Sequence, residues 1–173
     1  MIDRRAHTVQ SPHVLDFISH SAAQTIRVGQ RLGELLQPGD VLLLLGDFGA
    51  GKTHFAKGVA QGLGSEDMVN SPSFVLINEY RAGPRHGHMP IYHIDLYRIE
   101  SPGELAGIGL EDAIGGEGIA LIEWAERAQG WLPHDHLAVH LQHLSDTKRV
   151  LRFVPTGRRY EELVAAFKRT AFA

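Results

Sequence analysis

Apolar positions along the 173-residue chain change period several times, and each change marks an element. Val14 to Ser19 has the length and composition of a short strand. Ser21, with Gln24 three residues on, has capping-box spacing ahead of Thr25, Val28, Leu32 and Leu36. Those four recur at helical intervals and predict an amphipathic first helix. The turn Gln37-Pro38-Gly39-Asp40 ends it, and Val41 to Leu45 then runs apolar without a break, the pattern of a parallel strand covered on both faces. After a glycine-rich stretch a second helix is expected over Thr53 to Leu63, with Gly64 placed to stop it.

Phe74 to Tyr80 and Ile91 to Asp95 are the next predicted strands. Arg81 to Pro90, between them, is so rich in breakers that a mobile surface loop is expected. Ser101, Pro102 and Glu104 supply cap, first-turn proline and capping-box acid for a short helix carrying Leu105 and Ile108. Ile119 to Glu123 reads as another buried strand. His136 to His143 alternates, with Leu137, Val139 and Leu141 on one side, and Ser145-Asp146-Thr147 turns the chain into Lys148 to Val154 as a β-hairpin. From Arg159 onward, Tyr160, Leu163, Val164 and Phe167 form one helical stripe that packs back on the sheet.

Composition narrows the class without changing this outline. A hydrophobic fraction of 43% and a charged fraction of 21% are ordinary for a globular chain, and the length suits one domain over residues 1–173. No cysteine is present, which removes disulfides, thiolate catalysis and cysteine metal sites and suits a reducing, cytoplasmic setting. No apolar run has the length of an export signal or a membrane span. A formal net charge of −3 lacks the basic footprint of a protein that grips DNA or RNA by its own field, so any tRNA role is expected to run through partners.

The candidate chemistry begins at Gly46-Asp47-Phe48-Gly49-Ala50-Gly51-Lys52-Thr53, which satisfies G-x-x-x-x-G-K-[ST] directly after a buried strand and before a helix. Glycines let the backbone curl so that successive amide hydrogens meet phosphate oxygens; bulkier residues would block the approach. Lys52 carries positive charge toward the β- and γ-phosphates, the Thr53 hydroxyl can ligate Mg²⁺, and the helix behind adds its N-terminal amides. ATP with Mg²⁺ is the expected ligand. The fold class that follows is α/β: a three-layer P-loop fold with a mixed, largely parallel central sheet and an antiparallel hairpin near the C-terminus.

Hydrolysis also needs a carboxylate near the phosphates, commonly at the C-terminal end of a neighbouring strand. Asp95 and Glu123 each end such a strand. The plainer reading of either is a strand-end acid that caps a loop or pairs with an arginine such as Arg98. Ser71-Pro72-Ser73-Phe74 presents hydroxyls on an irregular stretch, with Pro72 biasing Ser71 toward an extended conformation.

The phosphate loop, Ser71-Pro72-Ser73-Phe74, Tyr92-His93-Ile94-Asp95-Leu96-Tyr97-Arg98 and Glu123-Trp124 resemble, in order and spacing, the successive motifs of the TsaE (YjeE) family. The resemblance spans Val14 to Val154. It implies a bacterial ATPase that assists synthesis of N6-threonylcarbamoyladenosine in tRNA by docking on TsaD, the transferase, and TsaB, its inactive paralogue, with hydrolysis resetting that complex for further turnovers. It further implies that Lys52 holds phosphate, Thr53 and Glu123 set Mg²⁺, Asp95 positions or activates the attacking water, Ser71 and Ser73 form a switch-like site, and Trp124 shapes the site or a contact. Two positions depart from the family pattern: His54 and Ser73 stand where threonine is usual, and only Ser73 keeps a hydroxyl.

The competing function is a P-loop kinase of a small metabolite, with Arg81 and Arg85 as lid and Asp95 as base. A guanine-reading N-K-x-D element is absent. His86, His88, His134, His136, His140 and His143 lack regular ligand spacing with an acid and read as surface histidines. Arg149, Arg152, Arg158, Arg159, Lys168 and Arg169 read as a solvated basic face.

Overall fold

A computed structural model describes residues 13–72 and 76–171. Seven strands, β1 (Leu15–Ser19), β2 (Val41–Leu45), β3 (Ile77–Arg81), β4 (Pro90–Asp95), β5 (Ile119–Glu123), β6 (His136–His143) and β7 (Arg149–Thr156), form one sheet in the order β1-β7-β6-β2-β5-β4-β3. Helices α1 (Ala22–Gly33), α2 (Lys52–Gly62), α3 (Leu110–Gly115) and α4 (Arg158–Ala171) accompany it. Strands β6, β2, β5 and β4 run parallel at the centre, and the outer pairings β6–β7, β7–β1 and β4–β3 are antiparallel, which is the mixed sheet expected.

The unbroken apolar run of β2 has its predicted cause. Leu42 and Leu44 enter the core beneath α1, α2 and α4, while Val41 and Leu43 enter a second core beneath α3 and the flanking 3₁₀ turns. Strand β6 shows the alternation of a sheet covered on one face, with Leu137, Val139 and Leu141 buried on the α4 side and His140 and Gln142 exposed. At α1, the Ser21 hydroxyl accepts from the Gln24 amide at 3.1 Å and the Gln24 side chain accepts from the His20 amide at 2.7 Å, so the predicted cap forms.

Helices α1 and α2 meet glycine to glycine. A methyl on Gly58 or Gly62 would collide with the carbonyl of Ile26 or Gln30, and one on Gly29 or Gly33 with that of Phe55 or Val59. The second helix, which carries the phosphate loop, is thus seated on the first at backbone contact distance. At the opposite end of β2, buried Asp40 pairs with Arg159 of α4 at 2.6 Å and accepts from the Gln37 amide at 2.8 Å. The Tyr160 hydroxyl accepts the Val41 amide at 2.8 Å. The Asp40 hydrogen bond raises the Arg159 pKa above its ordinary value, and burial raises that of Tyr160.

Four local expectations change. The predicted strand Phe74–Tyr80 is β3 over Ile77–Arg81, with residues 73–75 outside the described part of the chain. Arg81 to Pro90 is not a loose surface loop: the Ala82 amide donates to Met89, the Gly83 amide donates to Leu63, and Ala82 and Met89 are buried around a 3₁₀ turn at Pro84–His86. Breakers there shape a packed connection because Gly83 rests against Gly64. The helix expected at Ser101 is a 3₁₀ turn, Pro102–Ile108, in which the capping box is present and Leu105 is buried. Gly109, at φ +77°, breaks it from α3, which the pattern of apolar positions had not marked.

Candidate nucleotide-binding site

The loop Gly46–Thr53 leaves β2 and enters α2 through residues held at positive φ: Gly46 at 152°, Gly49 at 75° and Gly51 at 101°. Gly51 caps α2 with no side-chain acceptor. The first turn of the helix thus has no side-chain cap, and its residues Lys52, Thr53 and His54 line the cleft, an arrangement suited to anions. Gly46 also passes so close to the Leu141 carbonyl of β6 that a Cβ there has no room.

Lys52 is 6% exposed, a buried cation. Its ammonium donates to the Gly46 carbonyl and, at 3.5 Å, to that of Asp47, and lies 4.5 Å from the centre of the Trp124 ring and 5.9 Å from that of Phe48. No carboxylate of the described residues forms an ion pair with it. A buried charge without an acid partner is costly unless a ligand balances it. A polyanion fits that requirement.

Opposite the loop, sheet topology brings the two predicted acids together. Asp95 and Glu123, the last residues of β4 and β5, are register partners on parallel strands and therefore share a face. Both are buried. Asp95 Oδ1 accepts the Tyr97 amide at 2.8 Å. Glu123 pairs with no arginine among the described residues: its Oε1 lies 2.8 Å from Nε2 of His93, which is fully buried two residues before Asp95. Trp124 follows at φ +56°, an uncommon conformation for a bulky residue, and its half-buried indole turns back over the cleft.

A cleft of about 210 Å³ is lined by Phe48 through His54 along the loop, by Ser71, Asp95, Glu123 and Trp124 across from it, and by Arg149. Gly46 and Asp47 stand behind the loop, against His140 to His143 of β6. His54 is exposed on the first turn of α2 and reaches only the cleft margin. Ser71 is at the cleft, and Ser73 lies outside the described residues. Thr53 and Glu123 both line this space, and a hydroxyl with a carboxylate is a hard donor set that suits Mg²⁺. Among the described residues no cluster of three or more histidines and acids could hold a metal.

Two contributors escaped the sequence reading. Arg149, taken for solvated surface, donates to the Gly49 carbonyl at 3.1 Å and so ties the β6–β7 hairpin to the phosphate loop. His93 shares strand parity with Asp95, a signal visible in Tyr92-His93-Ile94-Asp95 once the strand is placed. Phe48, expected in the nucleotide loop, lines the cleft; it is 66% exposed and packs with Tyr97 and Trp124 at centroid distances of 4.8 and 5.2 Å, a rim whose pairing no spacing rule would assemble. Arg81 pairs with Pro90, the first residue of β4, at the end of the sheet remote from Asp95, and Arg85 follows it in the connecting turn.

Similarity to known proteins extends over most of the chain. Residues 19–151 match the family described as "Threonylcarbamoyl adenosine biosynthesis protein TsaE". A relative from Bacillus subtilis named "tRNA threonylcarbamoyladenosine biosynthesis protein TsaE" is 40% identical over 146 residues, 84% of this chain and 89% of its own. One of the same name from Treponema pallidum is 39% identical over 132 residues, 76% of this chain and 94% of its own. The solved structure titled "Crystal structure of Bacillus subtilus YdiB" superposes with a TM-score of 0.78 at 34% identity, covering 91% of this chain and 96% of that one. With a family match over most of its length and a loop, acid pair and sheet order that fit a P-loop protein, the chain belongs to the TsaE family of tRNA threonylcarbamoyladenosine biosynthesis proteins.

Proposed function

We propose that this chain is the Mg²⁺-dependent ATPase of the bacterial tRNA N6-threonylcarbamoyladenosine machinery, a single P-loop domain acting in the cytoplasm on a TsaB–TsaD complex to permit repeated turnovers. One observation carries the catalytic part. The buried, acid-free Lys52 on a glycine loop faces two strand-end carboxylates across a single cleft. Its charge and the amides of α2 hold the triphosphate. Mg²⁺, when bound, neutralises charge on the β- and γ-phosphate oxygens. Thr53 and Glu123 are the residues that would hold it. Asp95 orients a water and takes its proton, a role that its position at the end of a parallel strand supports. Phe48, Tyr97 and Trp124 exclude bulk water from the mouth. Contact with tRNA is through the partners, consistent with the net charge of −3, and no helix among the described residues is long and apolar enough to cross a membrane.

The kinase reading loses its lid, since Arg81 and Arg85 stand at the far end of β3 and β4. Reconstitution tests the remaining proposal. TsaB, TsaD, threonylcarbamoyl adenylate and substrate tRNA are expected to give one round of modification, and adding this chain with ATP is expected to give many. Equal yield with and without the chain overturns the pathway role. ATP consumed only when a small-molecule acceptor is added would restore the kinase.

A further inference from the structure

Beneath Glu123 runs a line of polar groups, buried at His93 and Tyr80 and reaching the surface at Asn70, that the proposed chemistry does not use. His93 is fully buried, with Nε2 at 2.8 Å from Glu123 Oε1 and Nδ1 at 3.4 Å from the Tyr80 hydroxyl. That hydroxyl has one proton, within reach of both the Asn70 carbonyl at 2.9 Å and His93 Nδ1, and it accepts the Asn70 amide at 3.2 Å and the Asn78 side-chain amide at 3.3 Å. The side chain of Asn78 in turn donates to the Asn70 carbonyl at 3.2 Å. Asn70 precedes Ser71, which lines the cleft. One hydrogen-bonded path thus joins the acid at the end of β5, through β4 and β3, to the backbone that presents Ser71.

We propose that His93 and Tyr80 are positioning residues that fix the Glu123 carboxylate and make its orientation depend on the Asn70–Ser71 backbone. The inference rests on the ATPase reading only for its consequence in turnover; the linkage itself is a property of the folded chain. A carboxylate oxygen accepts, so Nε2 donates to Glu123; Nδ1 then accepts the one proton of the Tyr80 hydroxyl while the Asn78 side chain serves the Asn70 carbonyl, and contacts at both nitrogens fix the ring plane. A fully buried histidine needs a partner on each nitrogen in any role, so what singles this one out is which partners it has. Here both nitrogens are engaged, and the far end of the path is main chain at the cleft. A shift of Asn70 therefore moves Tyr80, tilts the imidazole and re-aims Glu123, the side chain expected to face the metal.

Two readouts test this, the first without nucleotide. In amide spectra of the nitrogen-labelled protein, Glu123→Gln is expected to shift the Asn70 main-chain and Asn78 side-chain resonances, and to lose that effect in a His93→Leu background. Resonances that stay put, or that move equally in both backgrounds, overturn the linkage whether or not the chain hydrolyses ATP. In turnover assays His93→Leu is expected to lower kcat about ten- to a hundredfold, the usual range for a residue behind a metal ligand, with KM for ATP little changed. His93→Gln, whose amide nitrogen stands where Nε2 stands, is expected to recover most of kcat, and Tyr80→Phe to show a smaller fall. A rise in KM at constant kcat, or a Gln variant as impaired as the Leu variant while both unfold at the wild-type temperature, overturns the positioning role. If His93→Leu does not fold, His93→Gln and Tyr80→Phe carry the same test. Wild-type protein that binds but never hydrolyses ATP removes the ATPase reading and leaves the amide linkage to decide this one.

Discussion

The two walls of the cleft face each other but are built differently. The phosphate loop comes from eight consecutive residues, and its donors are mainly main-chain groups set by glycine φ angles. The acid wall comes from separate strands, with His93 and Glu123 30 residues apart in sequence, and its working atoms are carboxylates whose aim depends on side-chain contacts. A backbone cradle recognises charge and shape and tolerates side-chain changes that spare its conformation. An assembled carboxylate wall tolerates almost none, because each atom is positioned by another residue. Loop-side changes should therefore act on nucleotide affinity, and wall-side changes on turnover.

The largest expected effect is on the wall. Asp95→Asn keeps the acceptor for the Tyr97 amide but removes the base, so kcat is expected to fall about 10²–10⁴-fold with KM for ATP nearly unchanged. Steady-state kinetics decide it. A large rise in KM instead would mean that the wall also binds, and the division between the two sides would not hold.

The opposite effect is expected on the loop. Lys52→Ala removes a charge-assisted contact worth about 1.5–3 kcal/mol, so Kd for a non-hydrolysable ATP analogue should rise about ten- to a hundredfold. Calorimetry reads it directly. Unchanged affinity would show that the amides of α2 suffice and that Lys52, parked under Trp124, serves another step.

Legibility in the sequence followed the same line. The loop, its strand and its helix were readable because the motif is contiguous and Val41 to Leu45 is apolar on both faces. Asp95 and Glu123 were readable as strand ends, yet nothing in the spacing states that β5 lies between β2 and β4; that is a property of strand order. His93 was missed because a histidine inside a strand has no periodic signature that separates a core residue from a relay. Arg149 was missed because its partner, the Gly49 carbonyl, is 100 residues away. The α3 helix was missed because Gly103, Gly107 and Gly109 interrupt the apolar pattern and leave only six residues to form it.

Support for the loop also has a hidden non-local part, and Gly58→Ala probes it. The added methyl meets the Ile26 carbonyl, so α2 must lift from α1, at a cost typical of overpacking, about 1–3 kcal/mol. The usual helix gain of alanine over glycine, about 1 kcal/mol, offsets part of this. Urea denaturation is expected to show a net loss of stability. A net gain would mean that the two helices separate freely and that the loop keeps its shape without that seat.

The smallest effect separates tether from charge at the loop. Arg149 donates to the Gly49 carbonyl at 3.1 Å, to Ser145 at 2.8 Å and to Lys148 at 3.0 Å, so its planar fork spans hairpin and loop. Arg149→Met keeps most of the aliphatic stem and deletes the fork. Because the group is partly exposed, the loss should stay near the lower part of the range for one net hydrogen bond, about 0.5–1.5 kcal/mol, which is about a two- to tenfold rise in Kd for ATP at unchanged kcat. Arg149→Lys distinguishes the cause. It preserves the positive charge at the cleft but cannot bridge three carbonyls with a planar fork. If Arg149 acts by holding the loop, the lysine variant behaves like the methionine variant and adding salt changes neither. If it acts by attracting phosphate, lysine restores affinity and salt erodes it, and the loop would then owe its shape to its glycines alone.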